Sequence, residues 1–308
     1  MITDKSLTIS GFELSDVAPD NSVNRMLTAA LRARAEIDTP CISHERLYWD
    51  ADYFDLHQVS IFQEANRLEQ QQILSKLNQG LLQESIYIEQ AGVGYMAKMI
   101  LMAESMQERM LYSLFTADET THLAQLHPYG TLITTAPVDD PFLQLLAEIV
   151  ESSDKSVLLF VLQVVLEGWG LTHYRRLARG CNDDSLKRLF QSFLQAESRH
   201  HSTGAMLFKQ MQILPGSKAA IADCLATFLQ MVRVGPQRVV AAISTTKGHL
   251  SRPQRIQILQ QLDTVTHSHQ RLQLLKSLMV GTSSKIVNDL ENKGLFMPLS
   301  PEEAASYG

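Results

Sequence analysis

Cysteine is scarce in this chain and nowhere arranged for chemistry. Cys41, Cys181 and Cys224 are three in number, widely spaced and without a Cys-x-x-Cys. That excludes a disulfide framework and a cysteine-based metal site, and it fits a reducing, cytoplasmic compartment. Glycine and proline are thin, at 15 and 10 of 308 residues, and long stretches run without either, which favours helices over turns and sheets. No basic block interrupts a mild net charge of −6, so no nucleic-acid footprint is visible. No apolar run approaches the ~18 residues a membrane span needs. The first residues, MITDKSLTISGFELSD, lack the basic start and apolar run of a secretory signal. What is present is apolar material, 45% of the residues, ample for the core of a single domain over 1–308.

The chemistry lies in two short repeats. Glu119-Thr120-Thr121-His122 and Glu197-Ser198-Arg199-His200 are each Glu-x-x-His, and residues three apart share one face of a helix, so both side chains can reach one metal. Thirty residues before Glu119 stands Glu89, and thirty before Glu197 stands Glu167. Sliding the first segment forward by 78 positions superposes Glu89 on Glu167, Gly92 on Gly170, Phe115 on Phe193, Glu119 on Glu197 and His122 on His200. Two helix pairs, each offering one Glu and one Glu-x-x-His, supply the ligand set of dimetal carboxylate bundles. Glu84, close to Glu89, is the alternative first ligand.

Read in order, residues 1 to about 20 form an arm, and a helix starts at Ser22 with Asn21 or Ser22 as cap. Helical spacing resumes from Asp50 or Asp52 through Leu77, with a break at Asn78-Gln79-Gly80. The next helix carries Glu89. Ser105-x-x-Glu108 is a capping box opening the helix of Glu119 and His122, and the 78-residue shift places Asp183, another good cap, at the matching turn. In each pair both Glu positions lie roughly 14 to 16 residues from that turn, or about 21–24 Å, so antiparallel helices would hold them at one height. Between the halves, His127 to Pro141 contains three prolines and no helical pattern. Extended, it reaches ~45 Å, enough to cross the length of a bundle. Helix three then covers about Pro141 to Arg179 with a break near Ser152-Ser153, and helix four Asp184 to Ile213, ended by Pro215-Gly216. Further helices follow at Ser217–Val234 and Pro253–Met279, with a short last helix in the tail. The expectation is an all-α chain with a dimetal four-helix core over 82–214 and flanking helices over 20–81 and 217–290.

Two divalent irons or manganeses need anionic oxygens and an imidazole each. Glu119 and Glu197 can bridge, while Glu89 with His122 and Glu167 with His200 complete one metal each. Carboxylate and imidazole suit Fe and Mn, and no thiolate is present to prefer zinc or copper(I). Four buried carboxylates without a cation would repel strongly.

Asp118-Glu119-Thr120-Thr121-His122 and Ala196-Glu197-Ser198-Arg199-His200 resemble the Asp-Glu-x-Arg-His pair of ferritin-like di-iron proteins. These include rubrerythrins, multicomponent monooxygenase hydroxylases, acyl-carrier-protein desaturases and aldehyde-deformylating oxygenases, the last having the most similar short spacing. The resemblance covers about Leu82 to Phe208 and implies a ferritin-like bundle with a long crossover. It also implies that Asp118 accepts from His200 and that Arg199 pairs with Asp118. Thr121 and Ala196 depart from the motif, so His122 lacks an equivalent partner. Phe193 stands where an arylamine N-oxygenase would carry an extra His.

Blander roles go to other residues. His201 points about 100° away from His200 and reads as packing or surface, as do His267 and His269. Tyr95, Tyr112, Trp169 and Tyr174 read as core packing, the alternative being to carry radicals or line the pocket, and His173 reads as structural, with a substrate-pocket role as its alternative. The expected function is a cytoplasmic, O2-dependent oxidoreductase holding two Fe, Mn/Fe or Mn/Mn. Glu119 and Glu197 would sit at the catalytic centre, acting with O2 and an external electron donor on a small, mostly apolar substrate. Nucleic acid and membrane are not expected partners, and a homodimer is left open. The same ligands would serve a peroxidase, catalase or ferroxidase.

Overall fold

The structure, a computed structural model, describes residues 8–14, 16–34, 46–130 and 140–307. Among the described residues all regular structure is helical and no strand occurs, so the chain is all-α, as its composition requires. In order the helices are α1 (Ser22–Arg32), α2 (Ser60–Gln63), α3 (Arg67–Met102), α4 (Met106–Leu126), α5 (Pro141–Glu151) and α6 (Lys155–Val157). A π-helix (Leu158–Leu166) leads into α7 (Glu167–Gly180), followed by α8 (Asp184–Gln210), α9 (Pro215–Arg233) and α10 (Gln237–Lys247). The chain closes with α11 (Arg252–Gln261), α12 (Thr264–Val280), α13 (Ser284–Asn292) and α14 (Pro301–Ala304). The expected crossover falls mostly on 131–139, outside the described residues. Contacts divide the chain into two units, 1–44 with 81–155 and 45–80 with 156–308.

In the first unit the expected caps are in place. Asn21 Oδ1 accepts from the Val23 N–H at 2.8 Å, and Ser105 Oγ from the Glu108 N–H at 3.1 Å. The Glu108 carboxylate does not close the box on Ser105. It accepts from the Glu104 N–H at 2.8 Å and pairs with Lys155 Nζ, also at 2.8 Å. Asp140 caps α5, where Leu143, Leu145, Leu146, Ile149 and Val150 are buried. The N-terminal segment lies along α3. Gln90 Nε2 donates to Gly11 O, and Gly94 lets the backbone of Ile9 approach so closely that a Cβ there would collide with its carbonyl.

In the second unit α7 and α8 form a tight hairpin around aromatic rings. Tyr174 stacks on Phe190 at 5.6 Å and meets Phe193 edge-on, while Trp49 lies 6.2 Å from Phe190 and donates Nε1–H to Leu177 O. Trp49, Phe190 and Phe193 are wholly enclosed. Burying such a side chain stabilises by about 1.5–3 kcal/mol, before the smaller gain from ring geometry. A second cluster collects Leu56, Val59, Phe62, Ile73, Val240, Ile243, Ile258 and Leu259.

Several boundaries differ from expectation for local reasons. The helix expected from Asp50 begins only at Arg67, because Asp50 Oδ1 turns back to the N–H groups of Asp52 and Tyr53, and Asp55 takes a left-handed φ of 55°. The reciprocal cap of Asn66 and Glu69 then opens α3. There is no break at Asn78-Gln79-Gly80, where α3 is continuous. Pro215 does not terminate α8. It occupies the first turn of α9, where its missing N–H costs nothing. Pro253–Met279 is two helices, parted at Asp263 (φ 43°), and α10 and α13 were not anticipated. Lys155–Gly180 corrects the expectation about apolar runs: by length and composition it could cross a membrane, but 61% of its apolar window is buried in the protein, as in a core helix.

Candidate metal centre

Helices α3 and α4 bring three of the expected ligands together within the first unit. Glu89 stands thirteen residues before the end of α3, and His122 and Glu119 share the inner face of α4. All three are buried, at 1%, 5% and 6% exposure for Glu89, Glu119 and His122. His122 Nδ1 lies 3.1 Å from Glu89 Oε2, and each of the three offers one ligand atom within 4.8 Å of the others. Glu84, the alternative to Glu89, is half-buried and outside this group.

Neighbouring residues hold this arrangement. A Cβ on Gly92 would sit 2.5 Å from Glu119 Oε2, so the absence of a side chain there makes room for the carboxylate. Tyr112 and Phe115, buried and edge-to-face at 5.7 Å, fill the helix face two turns and one turn before Glu119. The hydroxyls of Thr116, Thr120 and Thr121 donate to the carbonyls of Tyr112, Thr116 and Ala117, four residues back. They are thereby occupied by the helix backbone.

In the second unit Glu197 and His200 are buried on α8, with Glu197 Oε2 3.9 Å from His200 Nδ1, too long for a hydrogen bond. Glu167 opens α7, half-buried and thirteen residues before the helix ends, the same interval as Glu89 on α3. The preceding π-helix is the main feature sequence reasoning missed. Its fully buried Gln163 donates Nε2–H to His200 O at 3.2 Å, and His201 Nδ1 lies 3.1 Å from Gln163 O. Gly204 makes this possible, since a Cβ there would collide with Gln163 Cβ. His201 is the packing residue expected. One polar Gln within the apolar run LLFVLQVVL was the available signal.

In the first unit the buried residues that could hold a metal ion are Glu89, Glu119 and His122. In the second, Glu197 and His200 are buried and Glu167 is half-buried. Asp118 is half-buried and Arg199 exposed. The donor chemistry fits a hard divalent cation. Two carboxylates within 4.8 Å repel by about 3 kcal/mol at an effective dielectric of ~20, and one imidazolium could neutralise only one of them. A divalent ion would neutralise both.

No model of a known family, no curated protein and no solved structure matches this chain. The reading of the site rests on its residues alone.

Proposed function

We propose that the chain is a non-haem dimetal oxidoreductase with a ferritin-like core, using O2 to oxidise a small, mostly apolar organic molecule. The observation that carries this reading is the buried group Glu89, Glu119 and His122 of the first unit. The 78-residue repeat extends it to a second half-site of Glu167, Glu197 and His200. In this reading Glu89, Glu119 and His122 would hold one metal and Glu167, Glu197 and His200 the other, two Fe or a Mn-containing pair. A reduced metal pair bound there would supply electrons to O2 and an oxidant to the substrate, an external donor restoring the reduced state.

The protein's own residues position and shield. Gly92 leaves Glu119 free to lie against α3, and Tyr112 and Phe115 present an apolar wall. Gln163 fixes the backbone at His200. Asp118 would orient His200 and Arg199 would pair with Asp118, both carried from the motif rather than from a measured distance. The reading includes a cytoplasmic location and leaves a homodimer open.

The test is metal content of the purified protein beside Glu119→Ala and His200→Ala. About two Fe or Mn per chain, largely lost in both variants, supports the centre, and reductant-dependent O2 consumption with an organic product supports the oxygenase. Little metal after reconstitution with ferrous iron and manganese would sink the reading. Hydrogen peroxide consumption or iron oxidation without organic product would replace the oxygenase by a detoxifying or metal-handling protein on the same ligands.

A further inference from the structure

Away from the carboxylates, the second unit carries two arginines that make no ion pair among the described residues, Asp55 being the acidic neighbour of Arg271. Helices α7 and α12 pack together, and Arg176 lies on the first and Arg271 on the second. Arg176 stacks over the ring of Tyr53, its guanidinium carbon 5.1 Å from the centroid, with Nη2 3.5 Å from Tyr53 O. That ring is a fixed platform. It fills the space a Cβ on Gly180 would need, meets Phe54 edge-on at 4.9 Å and lies 5.9 Å from Trp49. Arg271 is half-buried and has Arg176, Tyr53 and Asp55 as its charged or ionisable neighbours. Among the described residues neither arginine has a carboxylate within ion-pair distance. The Asp55 carboxylate lies 4.0 Å from His267 Nε2, and His267 precedes Arg271 by one turn of α12.

We propose that Arg176 and Arg271, with Tyr53 as their platform, form a binding site for a small oxyanion, a phosphate or a carboxylate.

A largely buried cation is ordinarily paired, and the charge of the exposed Arg176 nearby raises the cost for Arg271 further. Burial and the neighbouring charge of Arg176 bring the pKa of Arg271 down to about 10, so the charged form is held at a disadvantage that an anion would remove. Planar guanidinium forks carried on two packed helices suit the oxygens of phosphate or carboxylate, and Arg stacked on an aromatic face loses little freedom on binding. Asp55 is the one nearby group that opposes an anion. Its left-handed backbone, φ 55°, is one that Asn also adopts, so its charge can be removed without straining the turn. The inference does not depend on the metal centre.

The experiment is calorimetric titration and thermal melting of the full chain with inorganic phosphate and, separately, acetate, each against chloride at matched ionic strength. We expect saturable binding and a raised melting temperature with at least one anion. Affinity falls about tenfold in Arg176→Gln and Arg271→Gln and rises severalfold in Asp55→Asn. Arg271→Met melts higher than wild type in anion-free buffer and no longer responds to the anion. Phosphate alone acting identifies a phosphoryl ligand, and acetate acting equally identifies a carboxylate. No saturable binding beyond chloride would overturn the proposal. So would wild-type affinity in Arg176→Gln, an exposed substitution that leaves the fold intact.

Discussion

His122 Nδ1 on α4 lies 3.1 Å from Glu89 Oε2 on α3, thirty-three residues earlier in the chain and in a buried setting. Neither residue is adjacent to a cap or a turn that would explain it. A neutral hydrocarbon pair would fill the same space at lower cost, because desolvating carboxylates and an imidazole is expensive even when they meet. Groups placed so against stability point to a ligand that repays the cost.

Glu119→Gln should therefore make the metal-free protein more stable while removing its metal. The substitution keeps volume, exchanges one accepting oxygen for a donating NH2 group and deletes one of the two crowded charges. An increase of roughly 1–3 kcal/mol in unfolding free energy without metal is expected, with a loss of bound Fe or Mn. Denaturant unfolding in chelator together with elemental analysis measures both. A less stable variant that retains its metal would contradict the role given to Glu119.

Gly92→Ala tests the same site through space rather than charge. In an ordinary helix interior Ala is favoured over Gly by about 1 kcal/mol. Here the new Cβ would fall 2.5 Å from Glu119 Oε2, so the carboxylate must turn away. Metal affinity should drop by about tenfold or more while the variant stays folded by circular dichroism. Gly170, its repeat partner, has no atom within 4 Å of such a Cβ, and Gly170→Ala should leave metal content unchanged.

The grouping of Glu89, Glu119 and His122 was legible because a three-residue interval on one helix and a thirty-residue interval between helices are direct consequences of helical rise. Their second occurrence 78 positions later made chance unconvincing. The all-α class followed from the sparse Gly and Pro. What failed was punctuation. Asn78-Gln79-Gly80 has the composition of a turn, yet the Asn78 side chain serves tertiary structure. Its Oδ1 accepts from the N–H groups of Tyr48 and Trp49, and its Nδ2 donates to Trp49 O and Leu74 O. The π-helix was hidden for another reason: LLFVLQVVL is apolar all round, so a change of helical period leaves no mark in it.

Asn78→Ala should accordingly be among the more damaging substitutions in the second unit. It would strand two buried N–H groups and a buried carbonyl that holds Trp49 in place, at about 2–4 kcal/mol in total. Urea unfolding followed by tryptophan fluorescence measures it. A change below about 1 kcal/mol would mean that the segment around Trp49 is held by its ring packing alone.

Gly204→Ala probes the π-helix. The added methyl would collide with Gln163 Cβ, an atom too close to the backbone to swing aside, so α8 and the π-helix would have to separate. Overpacking of this kind costs about 1–3 kcal/mol. Gln163→Ala leaves that Cβ in place and should not rescue the variant, whereas Gln163→Gly should recover part of the loss. Melting temperatures of the two double variants decide between them.

Cys181 and Cys224 should differ sharply towards thiol reagents. Burial raises the Cys181 thiol to about 11, whereas Cys224 is only half-buried. The thiolate is the reactive form, so at pH 8 Cys224 should alkylate with iodoacetamide while Cys181 stays protected until the protein unfolds. The sign for stability follows from the raised folded value. An unfolded cysteine loses its proton near pH ~8.5, so the stability tied to keeping Cys181 protonated is full below that pH and declines as pH rises towards about 11. Cys181→Ala should flatten that alkaline decline. Peptide-level mass spectrometry of the alkylated protein, with urea melts between pH 7 and pH 10, checks both, and rapid native labelling of Cys181 at pH 8 would refute the burial argument.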